Sequence, residues 1–101
     1  MSKQYKNFAE FYPFYLSQHT NQACRRLHFI GSSIIIMLLI YVAISGKLLL
    51  LWLLPVIGYG FAWLGHFVFE KNRPATFTYP IYSLIGDWVM FKDILIGKIK
   101  F

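Results

Sequence analysis

LHFIGSSIIIMLLIYVAIS (27–45), GK (46–47) and LLLLWLLPVIGYGFAWLGHFVF (48–69) decide the fold. They are two uncharged runs of 19 and 22 residues, separated by one glycine and one lysine. Each is close to the ~20 apolar residues with which a helix crosses the hydrocarbon core of a bilayer. A Gly-Lys pair is too short for anything but a tight turn, so the runs predict an antiparallel helical hairpin. Pro55 predicts a kink in the second helix, which lipid-embedded helices tolerate. Ala43-Ile44-Ser45 resembles a cleavage site, but a secretory leader is not expected. The 26 residues ahead of the first run are too many for an n-region, and a second run follows at once.

Composition agrees. Hydrophobic residues make up 57% of the 101-residue chain and charged residues 14%, where soluble domains carry about 25% charged. A domain this small has too little interior to hide so much apolar surface from water. The net charge of +6 does not point to nucleic acid, because the basic residues flank apolar runs instead of lining one polar face. Lys3, Lys6, Arg25 and Arg26 precede the first run, and Lys71, Arg73, Lys92, Lys98 and Lys100 follow the second. Lys47 alone occupies the turn. The positive-inside rule then predicts a multi-pass membrane protein with both termini in the cytoplasm.

The flanks read as helices lying in the membrane interface. In FAEFYPFYL, Phe8, Phe11, Tyr12 and Tyr15 follow helical spacing, with a kink or break predicted at Pro13. Thr20-Asn21 reads as the N-cap of the first span. After a loop punctuated by Arg73-Pro74 and Tyr79-Pro80, IYSLIGDWVMFKDILIG (81–97) predicts an amphipathic helix. It carries Asp87, Lys92 and Asp93 and is short for a span, so it is expected on the cytoplasmic surface. The expected architecture is one all-α membrane domain over 1–101, with two spanning helices and two interfacial ones. Two spans enclose little volume, which leans towards a homo-oligomer.

The hairpin fixes the depth of its polar residues. His28 lies 18 residues before Gly46 and His66 lies 20 after it, or about 27 and 30 Å along the two helices. The imidazoles should therefore be level. Asn21, Arg25, His28 and Ser32 form one stripe, and Tyr59, Trp63, His66 and Glu70 another. Gly58, Ala62 and Gly65 beside them allow close helix approach. His19 would face away in an unbroken helix, but a break at Thr20-Asn21 lets it turn back towards the other two. Three histidines, with Glu70 and Asp87 near, suit iron, zinc or copper. A hydroxylated fatty acid could chelate such an ion, with its tail in the bilayer, its anionic head near Arg25 or Arg73, and Asn21 on the same stripe. Two level histidines could instead be axial ligands of a haem. A non-catalytic lipid-binding or assembly module is the rival from another class. Cys24, the lone cysteine, forms no intramolecular disulfide and reads as a small buried thiol. Nucleotide-binding loops and nucleophile elbows are absent from the sequence.

FYPFYLSQHTNQACRRLHFIG, GYGFAWLGHFVFEKNRPATFTYP and SLIGDWVMFKDILIGK together resemble the short bacterial branch of the 2-hydroxy fatty acid dioxygenase family. GHFVFEKNRPATF is the most specific part. The resemblance runs from about Phe11 to Lys98. It implies an iron(II)-dependent dioxygenase of fatty acid α-oxidation, which uses molecular oxygen to shorten a 2-hydroxy fatty acid by one carbon. It also implies that His19, His28 and His66 bind the iron and are essential.

Overall fold

The computed structural model describes residues 5–101, so Lys3 of the basic flank lies outside the described residues. Helix α1 (Phe8–Ser17) leads by a short turn into α2 (Gln22–Ser45). A left-handed Gly46 (φ 73°) ends α2, and Lys47 opens the return helix. That helix is of three kinds in succession: a 3-10 segment (Leu48–Trp52), α3 (Leu53–Leu64) and a π-helical segment (Gly65–Glu70). A loop holding one 3-10 turn (Ala75–Phe77) precedes α4 (Pro80–Leu95). The described residues contain no strand.

Pro13 and Pro55 are both accommodated within helical segments. Pro13 lies inside α1 without breaking it. Its ring leaves the Ala9 carbonyl without a donor, but Ala9 and Pro13 both face outwards, where that carbonyl can be solvated. Pro55 falls in the first turn of α3, just past the 3-10 segment that runs into it without a break. Its place coincides with a change of helix type, from 3-10 to α.

Two helical stretches, Gln22–Ser45 and Leu48–Glu70, are long and apolar enough to cross a membrane. The first begins five residues earlier than the uncharged run, because Asn21 caps it: its Oδ1 accepts from Ala23 N and Cys24 N. At ~1.5 Å per residue its 24 residues extend about 36 Å. The turn end is apolar and open, with Ile44 82% and Leu49 80% exposed. Such surface is unstable in water and suits lipid.

α1 and α4 pack on each other and on the opposite end of the hairpin. Their buried core is Phe11, Tyr15, Met90 and Ile94, ringed by Tyr5, Phe8, Phe14, Tyr79 and Tyr82. Burying each large side chain contributes about 1.5–3 kcal/mol. Two phenol–carboxylate hydrogen bonds fix the pair: Tyr12 Oη donates to Asp93 at 2.7 Å, and Tyr15 Oη donates to Asp87. Gly86 makes this crossing possible, since a Cβ there would sit 2.9 Å from the Tyr15 ring. α4 ends at Leu95, two residues before the predicted end, with the left-handed Gly97 (φ 83°) just beyond.

Candidate metal centre

Each of the three histidines arrives on a different piece of backbone. His28 is on α2, one turn after Cys24. His66 is on the π-helical segment. His19 follows α1 in the turn before Asn21, and Asn21 N donates to Glu70 across from it, as does Thr20 Oγ1 at 3.2 Å. Those bonds seal the turn against the end of the second long helix. They also place Asn21 level with Glu70, as the hairpin count requires.

The three rings meet. Centroid distances are 4.6 Å for His19–His28, 4.4 Å for His19–His66 and 5.1 Å for His28–His66. All three are buried, at 2%, 6% and 2% exposed. With Cys24 they form a group whose ligand atoms all lie within 4.8 Å of one another.

Hydrogen bonding turns all three rings the same way. His19 Nδ1–H donates to the Tyr15 carbonyl at 2.7 Å, and His28 Nδ1–H to the Cys24 carbonyl at 2.9 Å. A carbonyl can only accept, so both Nδ1 atoms carry hydrogen. Asn72 Nδ2 donates to the Gln18 carbonyl at 3.1 Å, which fixes the amide so that its Oδ1 accepts from His66 Nδ1–H at 2.8 Å. With each Nδ1 engaged outside, the Nε2 atoms are left for the centre. His19 Nε2 and His28 Nε2 stand 3.2 Å apart. Two neutral Nδ1–H tautomers would oppose lone pairs at that distance, a contact that a shared cation, a proton or a metal, would relieve. Burial, reinforced by His28 and His66, holds His19 well below the usual imidazole range, which disfavours the proton. The donor set thus fits a metal ion, held by ligands whose outer nitrogens are pinned in the usual way. A porphyrin between any two of these imidazoles would have to displace the third.

The π-helical segment brings His66 and Asn72 together. Lys71 adopts a left-handed conformation (φ 58°), and both Lys71 N and Asn72 N donate to the His66 carbonyl. The chain doubles back within one turn, so a loop residue reaches the side chain six positions earlier. π-turns often occur at functional sites. Gly65 sets the spacing on the other side. A Cβ there would lie 2.9 Å from Cys24 Sγ and 3.2 Å from Cys24 Cα.

The carboxylates sit outside the four-residue group. Glu70 is tied to Thr20 and Asn21. Asp87 accepts from Tyr15, whose ring stacks on His19 at 4.1 Å. Burial pushes the Asp87 carboxyl up to about 6 against that donation. Arg25 donates to the carbonyls of His19, Thr20 and Lys100, and the Arg73 guanidinium lies 4.8 Å over the Phe77 ring.

A cavity of about 510 Å³ opens from the histidines. It follows His28, Ser32, Ile35 and Leu39 down α2, and His66, Ala62, Gly58 and Leu54 along the return helix, with the first half of α4 as its third wall. Neither arginine lines it, nor does Asn21. Asp87 is its one charged lining residue among the described residues. From His28 to Leu39 it spans about 16 Å of helix.

Cys24 and Asn72 are the site members that sequence reading missed. Cys24 had a signal, four residues before His28 and so on the same face. Asn72 had none, because only the π-turn places it at His66. Compared with known proteins, residues 5–99 match the family model described as 2-hydroxy-palmitic acid dioxygenase Mpo1-like. No curated protein and no solved structure matches.

Proposed function

Because the chain belongs to the 2-hydroxy-palmitic acid dioxygenase Mpo1-like family, we propose that it is a membrane-embedded, iron(II)-dependent dioxygenase. It shortens long-chain 2-hydroxy fatty acids by one carbon. His19, His28 and His66 hold the metal, and Cys24 borders it. The observation that carries this reading is the convergence of three imidazoles with every Nδ1 turned outwards, at the head of an apolar cavity. A ferrous ion there would supply dioxygen activation at its open positions.

The residues divide the remaining work. Tyr15, Gln18 and Asn72 hold the imidazoles in one tautomer. Asp87 and Glu70 act around the ligands, Asp87 through Tyr15 and Glu70 through the turn that carries His19. The cavity takes the acyl tail. An extended alkyl chain advances about 1.25 Å per carbon, from a ~1.52 Å bond at the tetrahedral angle, so ~16 Å accommodates roughly 13 carbons beyond the head. The two long helices cross the bilayer, α1 and α4 lie at the cytoplasmic interface, and both termini are cytoplasmic.

The test is anaerobic loading of purified protein with ferrous ion, then addition of oxygen and 2-hydroxypalmitate. The expected product is the acid one carbon shorter, lost in His66→Ala. Protein that refuses ferrous ion, or His66→Ala that yields product at the wild-type rate, would overturn the proposal. Refusal of iron with retained lipid binding would favour the non-catalytic lipid-binding module.

A further inference from the structure

Two buried side-chain polar atoms among the described residues have no hydrogen-bond partner: Trp63 Nε1 and Ser83 Oγ. Both residues line the cavity. Ser83 is 4% exposed. An unpaired buried donor costs about 1–3 kcal/mol, and folds seldom leave one without a purpose. Trp63 on the return helix and Ser83 on α4 present them from two walls of one cavity, which indicates the position of a ligand's polar atoms.

Indole N–H only donates, so the missing group is an acceptor. Its charge follows from the helix beside it. α4 starts at Pro80 with no side-chain cap, and Pro80 and Ile81 also line the cavity. The free N–H groups and dipole of a helix start favour an anion. No lysine or arginine lines the cavity among the described residues, and Arg25 is already committed to three carbonyls. Trp63 lies three residues, about one helical turn, before His66, and Ser83 lies four before Asp87, the lining carboxyl that accepts from Tyr15.

We propose that Trp63 Nε1, Ser83 Oγ and the first turn of α4 form the carboxylate-binding subsite of the cavity, recognising the acid head of a fatty acid by neutral donors. This deepens the proposed function and rests on it for the identity of the acid. In this arrangement the carboxylate is held beside the histidines with C2 towards them and the tail running to Leu39.

The experiment measures equilibrium binding of 2-hydroxypalmitate and of hexadecane-1,2-diol, which lacks the carboxylate. It uses metal-free full-length protein in lipid nanodiscs. Trp63→Phe keeps the ring and removes the donor; Ser83→Ala removes the hydroxyl. Each should weaken the acid by about 10- to 100-fold, the size of a hydrogen bond to a charged group, and change the diol by less than about threefold. Cobalt(II) uptake by both variants should match wild type. Unchanged acid affinity in both variants, equal loss of acid and diol, or loss of cobalt uptake would overturn the subsite. Wild-type protein that binds neither the acid nor ferrous ion would overturn the proposed function instead.

Discussion

Asn72→Ala tests whether the π-turn serves the metal centre. The Asn72 side chain accepts from His66 Nδ1–H at 2.8 Å and donates to the Gln18 carbonyl at 3.1 Å. Its backbone N–H donates to the His66 carbonyl at 3.1 Å, and alanine keeps that bond. The turn should therefore close as before while the imidazole loses its outer partner. His66 is then free to rotate or to put its hydrogen on Nε2, where it cannot bind a metal. Loss of such an outer partner lowers metal affinity by about 10- to 100-fold, equivalent to roughly 1.4–2.8 kcal/mol. The assay is anaerobic titration with cobalt(II) or ferrous ion against a competing chelator, with helicity followed by circular dichroism. Asn72→Asp separates the two side-chain roles. It keeps an acceptor for His66 and loses the donor to Gln18, so it should recover most of the metal affinity without recovering all of the stability. Asn72→Ala binding metal within about twofold of wild type, or Asn72→Asp no better than Asn72→Ala, would refute this assignment.

Three further outcomes follow from the same geometry. Gly65→Ala forces a Cβ to 2.9 Å from Cys24 Sγ; overpacking of this kind costs about 1–3 kcal/mol, and the parting of His66 from His28 should abolish cobalt(II) uptake while the helical content persists. Asp87 holds its proton up to about pH 6, where an unfolded carboxyl releases it near 3.8. The folded metal-free protein therefore binds more protons than the unfolded chain between those values. Stability should fall as pH rises through that window, by up to roughly 3 kcal/mol, and thermal melts of Asp87→Asn should lack the slope. Gly58 meets only Ile35 across the cavity, at 3.4 Å from an added Cβ, and lies eight residues, about 12 Å, from His66. Gly58→Leu should thus block longer tails and shift preference towards acids with roughly ten carbons beyond the head, read by turnover across a chain-length series.

The hairpin was legible because hydrophobicity and a two-residue turn leave little choice. Once Gly46 marks the turn, counting along both arms brings His28 level with His66, and no tertiary knowledge is needed. The way back for His19 was also legible, since Thr20-Asn21 reads as a helix start and a chain cannot enter one without turning. What escaped the sequence depends on competition among partners. Arg25 has the right charge for a carboxylate, but the carbonyls of His19, Thr20 and Lys100 are nearer and leave it away from the cavity. Pro13 signals a break, yet its freed carbonyl faces outwards, and the aromatic face it would disrupt is locked to α4. The π-turn changes the local period, so Asn72 falls on a face that no fixed helical spacing assigns to it.

The division of labour along the molecule explains how so short a chain encloses a polar site. A hairpin alone brings two imidazoles together and leaves the open side to lipid. The third imidazole comes from outside the hairpin, so it must be held by something other than span-to-span packing. The turn that follows α1 supplies it, and α4 holds α1 through an aromatic core and two phenol–carboxylate bonds, each worth about 1.5–3 kcal/mol when the acceptor is charged. Tyr15 belongs to both structures: it is buried in that core, donates to Asp87, stacks on His19 and accepts from its Nδ1 through the backbone. Docking of α1 against α4 and completion of the histidine set are therefore one event. A metal that bound only the complete set would stabilise that docking by mass action, and loosening of α1 would take His19 away from the other two imidazoles.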